Sequence, residues 1–244
     1  MSTDKYKEFI KPPHSYWMAS TPGTEYPSLN EDLKVDVAII GGGITGILCA
    51  SLLIQKGVKV AIIEADRILQ GTTGHTTAKI TSQHGLIYSK IKNQISEELA
   101  RQYADANETA IRTIEKMVKE NNIECDFKAQ SAYVYTLQDE YVNKIRDEAD
   151  TAASIGIKAD SLEKIPLGFP IKAAVRFDNQ AQFHPRKFLL AKAKEITKNG
   201  GLIFEQSRVV NIEEDGNYVL VTHHGKKVSA KKVIIASHYP FYNK

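Results

Sequence analysis

The chain has 244 residues, 42% hydrophobic and 25% charged, with a formal net charge of +3, a globular composition with room for one large domain or two modest ones. A balance so near neutrality offers no clustered basic face for nucleic acid, no run approaches the roughly 20 apolar residues of a membrane span, and the opening MSTDKYKEFIKPPHSYWMAS lacks the apolar stretch of a secretory leader. The expectation is a cytoplasmic protein that works on a small molecule, with neither nucleic acid nor membrane as partner. Cys49 and Cys125 stand in unlike contexts, which excludes a disulfide framework and a CxxC knuckle. Cys49 reads as a small buried hydrophobe inside a helix.

Residues 1–34 read as an extension ahead of the first regular element. Val35, Val37, Ile39 and Ile40 then form the β-branched run of a fully buried parallel strand. It ends at Gly41, and Gly41, Gly43 and Gly46 supply the G-x-G-x-x-G spacing: a tight turn, close approach of a pyrophosphate to the backbone, and close packing of helix on strand. The helix runs through ITGILCASLLIQK with Leu48, Leu52 and Leu53 at helical spacing and Gly57 as its terminator. VKVAIIEA is the second buried strand. Its acid, Glu64, lies 64 − 41 = 23 residues past the first glycine, where a carboxylate accepts hydrogen bonds from a ribose 2′-hydroxyl and repels a 2′-phosphate. Strand, turn, helix, strand and acid in register read as a dinucleotide site; a glycine turn without ligand is the alternative.

Beyond Glu64 the chain enters DRILQGTTGHTTAKITSQHGL, whose Gly71, Thr72, Thr73, Gly74, Thr76 and Thr77 offer hydroxyls and close backbone approach to a long cofactor. An NAD domain would instead continue promptly into its third strand. Ile87, Ile91, Ile95, Leu99, Tyr103, Ala106, Ala110, Ile114 and Val118 mark one long amphipathic helical region, read as scaffold. SAYVYTLQ alternates as a strand does, with Tyr133 and Tyr135 on one face, packed between sheet and helix. DEYVNKIRDEADTAASIG reads as a helix ended by Gly156, AAVRFDNQAQFHP as a strand running into a loop, and PRKFLLAKAKEITKNGG as a helix between Pro185 and Gly200. GLIFEQ, SRVVNIEED, NYVLVTHHG and KKVIIAS follow as a short strand, a hairpin turning near Asp215 and Gly216, and a last buried strand. The fold class is therefore α/β, with a discontinuous cofactor domain (35–84 and 185–244) interrupted by a helical and antiparallel-sheet insertion (85–184). His75 and His184 could face a cofactor cavity, the alternative for each being a hydrogen-bonded structural imidazole, while His223 and His224 sit solvated on the hairpin. No helical metal-site spacing and no Cys-x-His pair of a Rieske centre occurs, so no metal is expected. Gln180 or Gln182 would supply polar recognition of a substrate.

The stretch VAIIGGGITGILCASLLIQKGVKVAIIEA followed by GTTGHTTAKIT resembles the N-terminal half of the glycine/D-amino acid oxidase (DAO) superfamily of FAD-dependent oxidoreductases. TTGHTTAK and FDNQAQFHPRKFLLA are most similar to the bacterial branch whose members often carry a C-terminal Rieske iron–sulfur domain, and the resemblance runs from about residue 16 to the end. It implies a Rossmann-like FAD/NAD(P)-binding domain interrupted by a mixed α+β substrate-side domain whose sheet roofs the substrate cavity. It implies a flavoprotein oxidising the CH–NH or CH–OH bond of a small amine or amino acid, with hydride passing to flavin N5. The implied FAD contacts are Gly41, Gly43, Ile44, Thr45 and Gly46 at the pyrophosphate, Glu64 and Ala65 at the adenosine ribose, and Thr73, His75, Thr76 and Thr77 along pyrophosphate, ribitol and flavin. Val209 would meet the adenine through its backbone and Ala236 would lie near the cofactor. Family members commonly read A-T-G where this chain has Ala236, Ser237 and His238, so the glycine expected at that approach is missing. The family's further substrate strands would follow SHYPFYNK, so the chain reads as truncated at its C-terminus, with a Rieske domain or other electron acceptor outside it. An NAD-dependent dehydrogenase and a non-catalytic nucleotide-binding remnant are the alternative readings. No catalytic residue is assigned.

Overall fold

In the computed structural model, which describes residues 14–238, the chain forms two units. One takes the chain up to Thr77 and again from Pro185; the other is Ala78–His184. The first crossing thus falls at Ala78, ahead of residue 85, because Lys79 and Ile80 pair with Gln182 and Ala181 at the far end of the insertion. Residues 14–34, which include the short helix α1 (Tyr16–Ala19), belong to the first unit.

In the first unit β1 (Leu33–Ile40) pairs in parallel with β2 (Val60–Ile63), which pairs in parallel with β7 (Leu202–Phe204). On its other side β1 pairs in parallel with the distal part of β10 (Lys227–Ile235). β10 also closes an antiparallel meander with β9 (Asn217–Thr222) and β8 (Val209–Asp215), giving the order β7-β2-β1-β10-β9-β8. Parallel strands buried on both faces need near-continuous apolar sequence, and Val37 through Ile40 and Val60 through Ile63 are all buried. Alternation sorts the faces: Ala38, Ile40, Ala61 and Ile63 join Val209, Ile212 and Leu220 of the meander in one cluster, while Ile39 looks toward α2 (Ile44–Ile54). α2 packs on α6 (Pro185–Lys198). It ends as its sequence foretells: Gly57, at φ +75°, donates to the Ile54 carbonyl and Val58 to that of Leu53, the paired bonds of a left-handed terminator.

The second unit is built on β6 (Ala173–Gln182). β4 (Lys128–Thr136) runs antiparallel along one side; β5 (Ala159–Leu162) and β3 (Lys79–Ile80) line the other. Helices α3 (Tyr88–Gln94), α4 (Glu97–Glu120) and α5 (Val142–Ser154) supply the core that covers Ala173, Val175 and Phe177.

Two expectations give way here. The long helical region is two helices: at Ser96, in extended conformation, the hydroxyl accepts from the Leu99 amide and restarts the helix, with Glu97 and Glu98 in the favoured first turn. The restart shifts the apolar register, so Ala100, Ala104, Ile111 and Val118 are buried whereas Ile95, Leu99, Ala106 and Ala110 are exposed. Tyr133 and Tyr135 do share a face, but it is not the helical one. Val134 packs on the core, and Tyr135 stacks instead on Phe169 with ring centroids 5.6 Å apart.

Candidate functional site

The candidate site is the glycine turn between β1 and α2, and the four glycines there do different work. Gly41, at φ +106°, occupies a region closed to most side chains, and a Cβ on it would meet the Ala236 carbonyl oxygen at 2.8 Å. Gly41 thus lets its backbone approach the end of β10, where the Ala236 amide donates to the Ile40 carbonyl. A Cβ on Gly46 would lie 2.0 Å from the Gly41 carbonyl oxygen, and one on Gly42 would lie 2.4 Å from Ile68 Cγ2. Gly42 carries a job that the motif spacing leaves unassigned: the loop after β2 folds over the turn, and the Leu69 amide donates to the Gly42 carbonyl.

Gly43 stands apart. Its backbone is extended (φ −80°, ψ −172°) and its Cβ direction meets nothing nearer than the Thr73 hydroxyl at 3.3 Å. The amides of Gly43 and Thr45 have no hydrogen-bond partner among the described residues, and the Ile44 amide is met by Thr73 Oγ1 at 3.0 Å. Ile44 and Thr45 are exposed at the start of α2. Unpaired amides and the positive end of a helix dipole, with only the Thr73 hydroxyl near the Gly43 Cβ direction, form a cradle for an anion, so the residues present fit a dinucleotide pyrophosphate.

Glu64 leaves β2 half-buried, and its carboxylate accepts from the Gly42 amide at 2.6 Å and from the Asp66 amide at 3.0 Å. The acid that the spacing reserves for a ribose also braces the turn. Each carboxylate oxygen accepts more than one hydrogen bond, so the brace leaves capacity for a sugar hydroxyl. Ala65 is exposed beside it. The start of β8 is drawn to the same end: the Ser207 amide donates to the Glu64 carbonyl, and Val209 is buried with Ile40 and Ile63.

The threonine loop makes a short 3-10 turn over Thr72–His75. Thr73 is buried against α2; Thr72, His75 and Thr77 are exposed, and Thr76 is half-buried. His75 Nδ1 lies 3.0 Å from the Gly71 carbonyl and so donates within its own loop. Thr72 Oγ1 is 3.3 Å from His238 Nδ1, which ties the loop to the end of β10.

In the second unit, the side chains expected to recognise substrate are committed elsewhere. Gln180 is buried; its carbonyl oxygen accepts from the Ser82 amide at 2.7 Å, and its amide group donates to Glu108 at 3.2 Å and to the Asp178 carbonyl at 2.9 Å. Gln182 accepts from Gln130 at 2.7 Å. His184 is buried, with its amide donating to the Cys125 carbonyl. A pairing that the sequence reading passed over is His84 Nδ1 with the Tyr103 hydroxyl at 2.8 Å.

The sequence reading also passed over a buried carboxylate beside the turn. Glu205 accepts from the Thr24 hydroxyl, from the Tyr26 amide at 3.0 Å and from the Ile68 amide at 2.9 Å. Burial, and then the Glu205 charge, raises the Tyr26 phenol above its ordinary pKa. Burial lowers the Arg186 guanidinium, an effect that Glu205 opposes. Nothing in the spacing of Thr24, Glu205 and Arg186 announces their meeting, because it depends on tertiary folding.

Comparison with known proteins agrees with this geometry. Residues 36–239 match the family described as FAD dependent oxidoreductase. A Bacillus subtilis (strain 168) protein with the provisional name Rieske 2Fe-2S iron-sulfur protein YhfW is 39% identical over 231 residues, 95% of this chain and 45% of its own length. Gamma-glutamylputrescine oxidoreductase of Escherichia coli K12 is 25% identical over 229 residues, 91% of this chain and 53% of its own. The crystal structure of glycine oxidase from Geobacillus kaustophilus superposes with a TM-score of 0.66 at 20% identity, over 84% of this chain and 55% of that one. The chain spans about half the length of the curated relatives it matches. No helix among the described residues is long and apolar enough to cross a membrane. The chain belongs to the DAO family of FAD-dependent oxidoreductases.

Proposed function

We propose that this chain is the FAD-binding part of an oxidoreductase that oxidises a small amine or amino acid. Gly41, Gly43, Ile44, Thr45, Gly46 and Thr73 hold the pyrophosphate; Glu64 and Ala65 hold the adenosine ribose, with the Val209 backbone against the adenine. His75, Thr76, Thr77 and Ala236 lie along the rest of the cofactor. The first unit is the cofactor domain and the Ala78–His184 unit faces the substrate. FAD, when bound, supplies the acceptor for the hydride that leaves the C–H bond beside the amine, and the resulting imine is hydrolysed by water. This chain's residues bind and orient: the α2 amides meet the phosphate charge, the Glu64 carboxylate accepts from the sugar, and the Thr73 hydroxyl lines the approach. The names of the relatives, a gamma-glutamylputrescine oxidoreductase and a glycine oxidase, support an amine or amino-acid substrate. The relative named for a Rieske 2Fe-2S protein supports an iron–sulfur electron acceptor outside this chain.

The observation that carries the proposal is the contrast between Gly43, whose Cβ would meet only the Thr73 hydroxyl, at 3.3 Å, and Gly41, Gly42 and Gly46, whose Cβ atoms would meet their neighbours at 2.8, 2.4 and 2.0 Å. FAD titration of the chain and of Gly43→Ala, followed by flavin fluorescence and by thermal unfolding, tests it. The variant should fold normally and bind FAD at least about tenfold more weakly, or 1.4 kcal/mol. Equal affinity in the two proteins would remove the assignment.

A further inference from the structure

The segment ahead of β1 makes contacts that a passive leader does not need. Terminal segments are poorly ordered unless tied down, and this one is tied at both walls of the glycine turn. At the threonine loop, Ser15 Oγ donates to the Gly74 carbonyl and Trp17 Nε1 donates to the Thr76 carbonyl at 2.8 Å. Met18 packs so closely that a Cβ on Gly74 would meet its sulfur at 2.9 Å. At the other wall, the Thr24 hydroxyl and Tyr26 amide share Glu205 with the amide of Ile68, the residue that fills the space over Gly42. Trp17 is itself held: the Thr21 hydroxyl donates to its carbonyl at 2.6 Å, and buried Arg186 donates to the Thr21 hydroxyl and to the Pro22 carbonyl.

We infer that residues 15–26 are an integral wall of the cofactor site, and that Trp17 is a positioning residue that fixes the Thr76 backbone and, through it, the loop that places Thr73 against α2. The inference rests on the FAD reading above. Ile68 and Leu69 anchor the start of the loop, but the stretch GTTGHTT (71–77) buries no large side chain, so bonds made to the Gly74 and Thr76 carbonyls from outside help to fix its conformation. Trp17 is the single tryptophan of the chain, so its emission reports on this contact directly.

The test uses the full chain with Trp17→Phe, which keeps an aromatic ring and removes the indole N–H, and Ser15→Ala, a small change that folds even if the first does not. Three readouts are needed: FAD affinity, the visible circular dichroism of bound flavin, and the thermal midpoint. Trp17→Phe should weaken FAD binding about tenfold, the scale of one hydrogen bond, and alter the flavin dichroism. Ser15→Ala should act in the same direction by a smaller factor. Lower thermal midpoints with unchanged affinity and dichroism in both variants would overturn the inference and leave the FAD reading standing. A wild-type chain that takes up no FAD would overturn the reading itself, and the inference with it.

Discussion

The glycine turn and the core of the Ala78–His184 unit treat their polar groups in opposite ways. At the glycine turn, the Gly43 and Thr45 amides are left without partners among the described residues, and only the Thr73 hydroxyl lies near the Gly43 Cβ direction. In the Ala78–His184 unit, polar side chains saturate one another: Gln180 with Ser82 and Glu108, Glu148 with the Tyr88 and Ser89 amides, and the Tyr88 hydroxyl with the Ser82 carbonyl. Polar groups enclosed by protein are normally paired, as in that network, whereas amides at the start of a helix have no partner within it and are free to meet an anion. Polarity alone, which drew attention to Gln180 and Gln182, does not separate the two cases.

The largest expected effect comes from confusing two glycines of one motif. Gly46→Ala drives a Cβ to 2.0 Å from the Gly41 carbonyl oxygen, a backbone atom that cannot swing aside. Such overpacking should cost at least about 3 kcal/mol, read from the midpoint of urea unfolding. Gly43→Ala, at an extended backbone where the new Cβ meets only the Thr73 hydroxyl, should change stability by no more than about 1 kcal/mol. Equal destabilisation by the two would erase the distinction between a glycine the fold needs and one the ligand needs.

A smaller contrast sets the buried carboxylates of the two units side by side. Glu205 and Glu148 are the fully buried acids among the described residues, and each collects backbone amides. Glu205 holds a third donor, the Thr24 hydroxyl. Glu205→Ala, which strands two amides and a hydroxyl, should therefore cost about 3–5 kcal/mol. Glu148→Ala, which strands two amides at the start of α3, should cost about 2–3 kcal/mol. Urea titrations under one condition give the order, and a costlier Glu148→Ala would reverse the view of where the chain's buried charge is concentrated.

Much of the first unit was legible because its signals are local. The run Val35–Ile40, the spacing of the three glycines and the acid after VAII each follow from the geometry of a strand–turn–helix, and Gly57 ends its helix by its own backbone freedom. The insertion was legible as helices and strands but not in register. The break at Ser96 hides inside a continuous apolar period, and β5 reads ADSL, with one apolar side chain of any size, so its strand exists only because β6 offers an edge to pair with. Of the site, the sequence marks the residues that would touch a cofactor. The residues that hold those in place, namely Ser15, Trp17, Thr24, Ile68 and Glu205, come together across long separations and follow no spacing.

The smallest effect concerns the saturated unit and depends on pH. Asp178 accepts from the Ser131 hydroxyl at 2.8 Å and faces Arg176 at 3.0 Å and Lys158 at 3.4 Å. The Ser131 hydrogen bond, with the two cations behind it, holds the carboxyl below its ordinary range. A carboxyl with a depressed folded-state pKa stabilises the protein above its unfolded value of about 3.9, and that stability is lost as pH falls through the folded-state pKa. Ser131→Ala raises the folded-state pKa toward the unfolded one, so the variant should be the less stable at pH 7, and the deficit should narrow steadily below about pH 4. Urea midpoints of both proteins between neutral and acid pH measure it. A deficit that stays constant across that range would mean that Ser131 contributes only its own packing, and that Asp178 is held by its two cations alone.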